Sequence, residues 1–225
     1  MRAIVFGGSG MIGQGVTLEC LDDGTVSAVT VVGRSPCGLE HPKLREVLHR
    51  DFFDYSAIRH ELAGHDACFF CLGVSAAGKG EAEYSRLTHD LTLAAADALV
   101  KASPDVVFCY VSGAGTDGSE QGRTMWARVK GRTENDLLGL PFRAAFMFRP
   151  GYVQPLRGVR SKTPVYQALY TVAAPLYPVW KRLFPDAVTT TVNVGRAMIR
   201  VVRDGYPRHI VETRDINMLA GERKG

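Results

Sequence analysis

The chain has 225 residues, 46% of them hydrophobic and 22% charged, which suits a globular protein with one sizeable core. Its formal net charge of +4 is mild, and Lys and Arg are scattered among acids, so a nucleic-acid partner is not expected. Five cysteines, and a first strand pattern that starts with no leader-like stretch before it, point to reduced thiols in a cytoplasmic protein.

Arg2 to Phe6 is a short apolar run that reads as a strand ending at Gly7-Gly8. Met11 to Leu21 follows with helical spacing, Ile12, Val16 and Cys20 sharing one face, and Asp22-Asp23-Gly24 stops it. Val26 to Val32 predicts a second strand and Glu46 to Arg50 a third; Tyr55 to Leu62 suits a short helix. His65 to Leu72 is apolar throughout, as a central parallel strand buried on both faces should be. Cys68 and Cys71 lie in that run. Residues three apart on a strand face opposite ways, so they read as buried structural thiols, and no metal site is expected.

Glu81 to Lys101 predicts a long helix with the stripe Tyr84, Leu87, Leu91, Ala94 and Ala98. Asp105 to Val111 is a fifth strand, Arg123 to Leu138 a helix, and Ala144 to Phe148 a sixth strand. Alternation of strands and helices predicts an α/β fold, a Rossmann-type doubly wound parallel sheet that binds its ligand at the carboxyl ends of the strands. Residues 1–225 read as a single domain. Within it, residues 151–225 form a C-terminal segment expected to cover the substrate, with a helix over Thr191 to Arg203 and a short strand over His209 to Glu212. Its aromatics Tyr152, Tyr166, Tyr170, Tyr177, Trp180 and Phe184 suggest an apolar substrate pocket or a homodimer surface, with plain core packing as the equal alternative. The apolar stretch from Ala168 to Trp180 is broken by prolines and too short to span a bilayer.

Each motif falls at a strand end. The turn Gly7-Gly8-Ser9-Gly10-Met11-Ile12-Gly13 follows the first strand and opens a helix. There glycine permits a tight turn, close approach of backbone to pyrophosphate, and close helix–strand packing, while the helix N-terminus faces the phosphates. The second strand ends at Gly33-Arg34-Ser35. An acid would hold a ribose 2′-hydroxyl there; here a guanidinium and a hydroxyl suit a 2′-phosphate, so NADP(H) is the expected cofactor and NAD(H) the alternative.

With these motifs the chain resembles the short-chain dehydrogenase/reductase superfamily, in its extended or atypical epimerase/dehydratase-like branch. The likeness covers about residues 1–155 well and the rest loosely. It implies adenine contacts from Asp51 and Phe52, a cofactor-side loop at Cys71-Leu72-Gly73, a catalytic serine at Ser112, and a nicotinamide-side motif at Arg149-Pro150-Gly151-Tyr152-Val153. It also implies a Tyr-x-x-x-Lys pair on the helix after the fifth strand, the lysine holding the nicotinamide ribose and the tyrosine moving the proton. Lys130 fills the lysine position, but Trp126 stands where the tyrosine belongs, and an indole N–H is a donor only.

The reading that follows is an NADP(H)-dependent oxidoreductase acting on a small-molecule carbonyl, quinone or conjugated acceptor, with Ser112 polarising the acceptor and Lys130 fixing the ribose. A catalytically silent NADP(H) sensor is the second reading, and sugar-nucleotide epimerisation the third. Tyr84, Tyr152 and Tyr166 stand as replacement acids. His89 reads as a packing residue, and Asp117 and Glu120 as pocket or loop residues.

Overall fold

The computed structural model describes residues 1–159 and 177–221. Seven strands form one sheet: β1 (Arg2–Phe6), β2 (Ala28–Gly33), β3 (Leu44–Leu48), β4 (Ala67–Phe70), β5 (Val107–Val111), β6 (Ala144–Arg149) and β9 (Ile210–Glu212). The order is β3-β2-β1-β4-β5-β6-β9, and every pairing is parallel. The chain winds outward from β1 to β3, then restarts at β4 on the other side of β1. The crevice between the ends of β1 and β4 is therefore the switch point at which such sheets take their ligand. β7 (Tyr152–Gln154) and β8 (Val188–Thr190) pair separately.

Both faces of the sheet are covered, which is why its central strands are apolar without alternation. On one face pack α1 (Met11–Asp22), α6 (Thr191–Asp204) and α7 (Thr213–Leu219), through Val16, Cys20, Val194, Met198, Val201 and Ile216. On the other lie the 3₁₀ segment Ser56–Leu62, α3 (Leu91–Ala102) and α4 (Met125–Gly139), through Leu62, Ala95, Leu99 and Leu137. The tail thus supplies a seventh strand and much of one face. α1 and α6 touch almost backbone to backbone: a Cβ on Gly15 would lie 2.6 Å from Thr191 Cβ, and one on Gly195 2.8 Å from Glu19 Cβ.

The expected elements are present, with two instructive shifts. β3 spans Leu44–Leu48, so His49 and Arg50 intervene before Asp51. The long helix after β4 divides into α2 (Glu81–Ser85), a π segment (Arg86–Asp90) and α3. A π turn inserts one extra residue into the helical repeat. The fully buried positions beyond Tyr84 therefore include Thr88, Thr92, Ala95 and Leu99, while Leu91, Ala94 and Ala98 of the expected stripe pack partly buried against the same core. α5 (Tyr177–Leu183) follows the undescribed stretch that contains Tyr166 and Tyr170. No helix among the described residues is long and apolar enough to cross a membrane, and none of their His, Cys, Asp and Glu groups could hold a metal ion.

Candidate dinucleotide site

The glycine turn is built by contact, not by composition alone. Gly7 has φ +84°, and a Cβ there would meet the Cys71 and Leu72 backbone at 3.0 Å. A Cβ on Gly13 would stand 2.2 Å from the Gly7 carbonyl oxygen, so the first turn of α1 lies directly on the loop that precedes it. Gly10 is different. Its backbone is ordinary (φ −87°, ψ 164°), and a Cβ would meet only the Gly7 oxygen, at 3.3 Å. Its smallness leaves open space beside the helix end. That end carries no side-chain cap and no acid in its first turn, so the N–H groups of Met11, Ile12 and Gly13 and the helix dipole face that space. An uncapped, acid-free helix start with a glycine-lined approach fits a pyrophosphate.

Ser9 lies on this turn and is half-buried. Beyond β2, Arg34 and Ser35 are exposed, and Arg34 makes no hydrogen bond or ion pair among the described residues. β2 and β3 end side by side, the His49 N–H donating to the Gly33 carbonyl at 2.9 Å. Asp51 is exposed and accepts from the Phe53 N–H at 2.9 Å, which fixes the turn. Phe52 is 5% exposed and packs on Tyr55 and His49, so its ring belongs to the core. Cys71 and Leu72 are half-buried and Gly73 exposed. The Cys71 N–H donates to the Phe6 carbonyl at 2.9 Å, which joins this loop to the glycine turn. Burial pushes the Cys71 thiol up to about 12, so it is inert as a nucleophile.

At the end of β5 the hydroxyl of Ser112 is engaged within the protein. The residue is 3% exposed, and its hydroxyl donates to Glu134 Oε1 at 2.5 Å and lies 3.1 Å from the Phe148 carbonyl oxygen. Glu134 itself is buried. Arg149 grips it with two groups, Nε lying 3.0 and 3.2 Å from the two carboxylate oxygens and Nη2 on Oε2, while Arg149 Nη1 reaches Glu212 at 3.4 Å. Lys130, one helical turn before Glu134, donates through Nζ to the Ser112 backbone carbonyl. Burial pulls the Lys130 ammonium down to about 8, against the opposing pull of the Glu134 charge. Trp126 lies one turn before Lys130, and its ring covers Gly115. Glu134 was not read as a site residue from the sequence, and Arg149 was read only as part of the nicotinamide-side motif, although Glu134 stands four residues after Lys130, a spacing that places both on one helix face.

Pro150 is buried, and its carbonyl accepts from the Ala114 N–H at 2.9 Å, so the ends of β5 and β6 meet. The Gly151 N–H donates to Thr213 Oγ1 at 2.8 Å, and a Cβ on Gly151 would strike the Ala187 oxygen at 2.3 Å. Tyr152 donates to Gln154 at 2.8 Å and sets its ring edge-on to Trp180, while Val153 is buried. Tyr84 is 2% exposed and its phenol is pushed up by burial, which removes it as a replacement acid; Tyr166 lies outside the described residues. His89 bridges Asp90 and Asp136, a packing role. Asp117 accepts from Ser119 and Gly122 and closes its own turn, and Glu120 accepts from Asn135. Both hold the loop between β5 and α4.

A doubly wound parallel sheet with an open glycine turn at its switch point defines a dinucleotide-binding protein. The chain belongs to the NAD(P)H-binding family, whose model matches residues 7–135, more than half of its length. It is similar to protein HTATIP2 of Rattus norvegicus, 30% identical over 149 residues, and spans 60% of that protein's length. It is also similar to the mitochondrial protein FMP52 of Chaetomium globosum, 28% identical over 161 residues, covering 69% of this chain and 67% of that one. Its fold matches the Bordetella bronchiseptica enzyme WbmF in complex with NAD+ and UDP, at TM-score 0.62 and 17% identity, over all of this chain and 78% of that one. It also matches the UDP-N-acetylglucosamine 4-epimerase of Methanobrevibacter ruminantium, at TM-score 0.68 and 17% identity, over 93% and 75%.

Proposed function

We propose that the chain is an NADP(H)-dependent oxidoreductase of an atypical kind, acting on a small carbonyl, quinone or conjugated acceptor. The observation that carries the cofactor choice is Arg34, an exposed guanidinium with no ion-pair partner among the described residues, at the strand end where an acid would favour NAD(H). In this reading Gly7, Ser9, Gly10, Met11, Ile12 and Gly13 hold the pyrophosphate, and Arg34 with Ser35 holds the 2′-phosphate. Asp51 and the Phe52 backbone border the adenine, Cys71-Leu72-Gly73 line the cleft, and Lys130 holds the nicotinamide ribose. Pro150, Gly151, Tyr152 and Val153 border the nicotinamide. A reduced nicotinamide bound there supplies a hydride to the acceptor. The proton comes from water or from Lys130, whose lowered pKa suits transfer near neutrality. Trp126 forms an apolar wall that favours flat acceptors. The buried thiols fit a cytoplasmic setting.

A second reading rests on its own observation. The tyrosine position holds Trp126 and the Ser112 hydroxyl is bound to Glu134, so the usual proton relay has no tyrosine hydroxyl and its serine hydroxyl is engaged elsewhere. A silent NADP(H) sensor accounts for this. Calorimetry with NADPH and NADH, beside turnover on a panel of aldehydes and quinones, separates the readings. Preferred NADPH binding with turnover supports the reductase, binding without turnover supports the sensor, and no binding of either cofactor overturns both.

A further inference from the structure

We propose that Glu134 is the positioning residue for Lys130: it anchors Ser112 by the hydroxyl, so that the Ser112 carbonyl presents a fixed seat for the lysine ammonium. This rests on the reading in which Lys130 holds the nicotinamide ribose.

The geometry is a closed set of contacts around one buried carboxylate. Glu134 accepts from the Ser112 hydroxyl at 2.5 Å and from Arg149 through Nε and Nη2, which occupies both of its oxygens. The Ser112 N–H donates to the Phe148 carbonyl at 2.9 Å, so the serine is held at backbone and side chain alike. Its remaining group, the carbonyl, accepts from Lys130. A short polar side chain at the end of a strand is thus turned inward for a purpose other than chemistry. It transmits the position of a buried ion pair to the ammonium one helical turn away.

Three charged groups from three elements surround this anchor. Glu134 stands on the helix of Lys130, Arg149 on β6 is neutralised by Glu134, and Glu212 at the end of β9 reaches Arg149 and not the lysine. Glu134 is the charge that acts on the ammonium, and it favours the protonated form. A protonated lysine donates to ribose hydroxyls and a neutral one does so poorly, so the same carboxylate holds both place and charge.

The test uses the full-length protein and a readout independent of turnover: the pH at which Lys130 becomes reactive toward an acylating reagent, followed by peptide mass spectrometry. Glu134→Gln keeps the shape and removes the charge. It is expected to move the Lys130 reactivity midpoint to lower pH and to weaken NADPH binding several-fold at pH 8. Arg149→Lys, which keeps the charge but loses the fork, should lower the melting temperature and leave the midpoint in place. An unchanged midpoint in folded Glu134→Gln overturns the proposal. Should that variant fail to fold, Ser112→Ala carries the test: NADPH binding weakened several-fold supports the anchor, and unchanged binding by a wild-type protein that does bind NADPH overturns it. If NADPH fails to protect Lys130 in the wild-type chain while Glu134→Gln still shifts the midpoint, the ribose reading fails and the Glu134–Lys130 relationship stands.

Discussion

The carbonyl oxygen of Asp117 lies so close to α4 that a Cβ on Gly131 would sit 1.8 Å from it. Gly131 follows Lys130, so the loop after β5 is pressed onto the helix that carries the candidate ribose lysine. Gly131→Ala must push that loop away. Overpacking of this kind costs about 1–3 kcal/mol. Scanning calorimetry should show a lower melting temperature, and NADPH binding should weaken because Lys130 moves with the backbone. A variant as stable as wild type would mean the loop yields freely.

Glu19 ties the tail to the helix of the glycine turn. Its side chain, 7% exposed on α1, is paired with Arg157 at 2.8 Å and Arg196 at 2.9 Å. Glu19→Gln keeps the volume and removes the charge. Both arginines are partly exposed and can turn to water, so the cost should be about 1–2 kcal/mol, below that of a fully buried pair. Chemical denaturation measures it. No loss would show that the α1–α6 contact does not depend on the Glu19 ion pairs.

Lys130 sets a pH dependence with a definite sign. Its folded-state pKa lies near 8, below the usual lysine value of 10.5. Between those limits the unfolded chain binds more protons, so the Lys130 contribution to stability rises with pH across that window. Relative to Lys130→Met, the wild-type protein should gain on the order of 1 kcal/mol between pH 7.5 and 9.5, discounted for partial exposure. Parallel pH curves for the two proteins would show that Lys130 is solvated normally.

Trp126→Tyr restores the hydroxyl that the resemblance calls for. NADPH binding should stay near wild type, since the ribose contact belongs to Lys130. A rise in carbonyl reduction of tenfold or more would show a scaffold lacking only its proton donor, and would favour the sensor reading of the natural chain. No rise, beside measurable wild-type turnover, favours the atypical reductase.

The sheet was legible because each central strand is a short apolar run and most connections carry a glycine or proline, the one after β3 (His49 to Tyr55) being the exception. The register of the long helix was not. Nothing in Arg86–Asp90 announces a π turn, and with the extra residue Thr88 and Thr92 are fully buried while Leu87 and Leu91, which a periodicity reading prefers, are only partly so. The glycine turn was legible in spacing, but the parts played by its members were not. Gly7 and Gly13 are fixed by contacts within the protein, and Gly10 alone owes its smallness to open space. The position of Ser112 at the end of β5 was legible, but the direction of its hydroxyl was not, because it depends on Glu134 and Arg149, which come from two other elements.

The central claim is that this family member takes NADP(H) through Arg34. The direct measurement is the dissociation constant of NADPH and of NADH for the wild-type chain and for Arg34→Asp, by calorimetry at one fixed ionic strength. The wild-type chain should prefer NADPH. Arg34→Asp should weaken NADPH binding by about 1.5–3 kcal/mol, the scale of one charge-assisted contact, and leave NADH nearly unchanged. Equal losses for both cofactors, or no loss for NADPH, would contradict it.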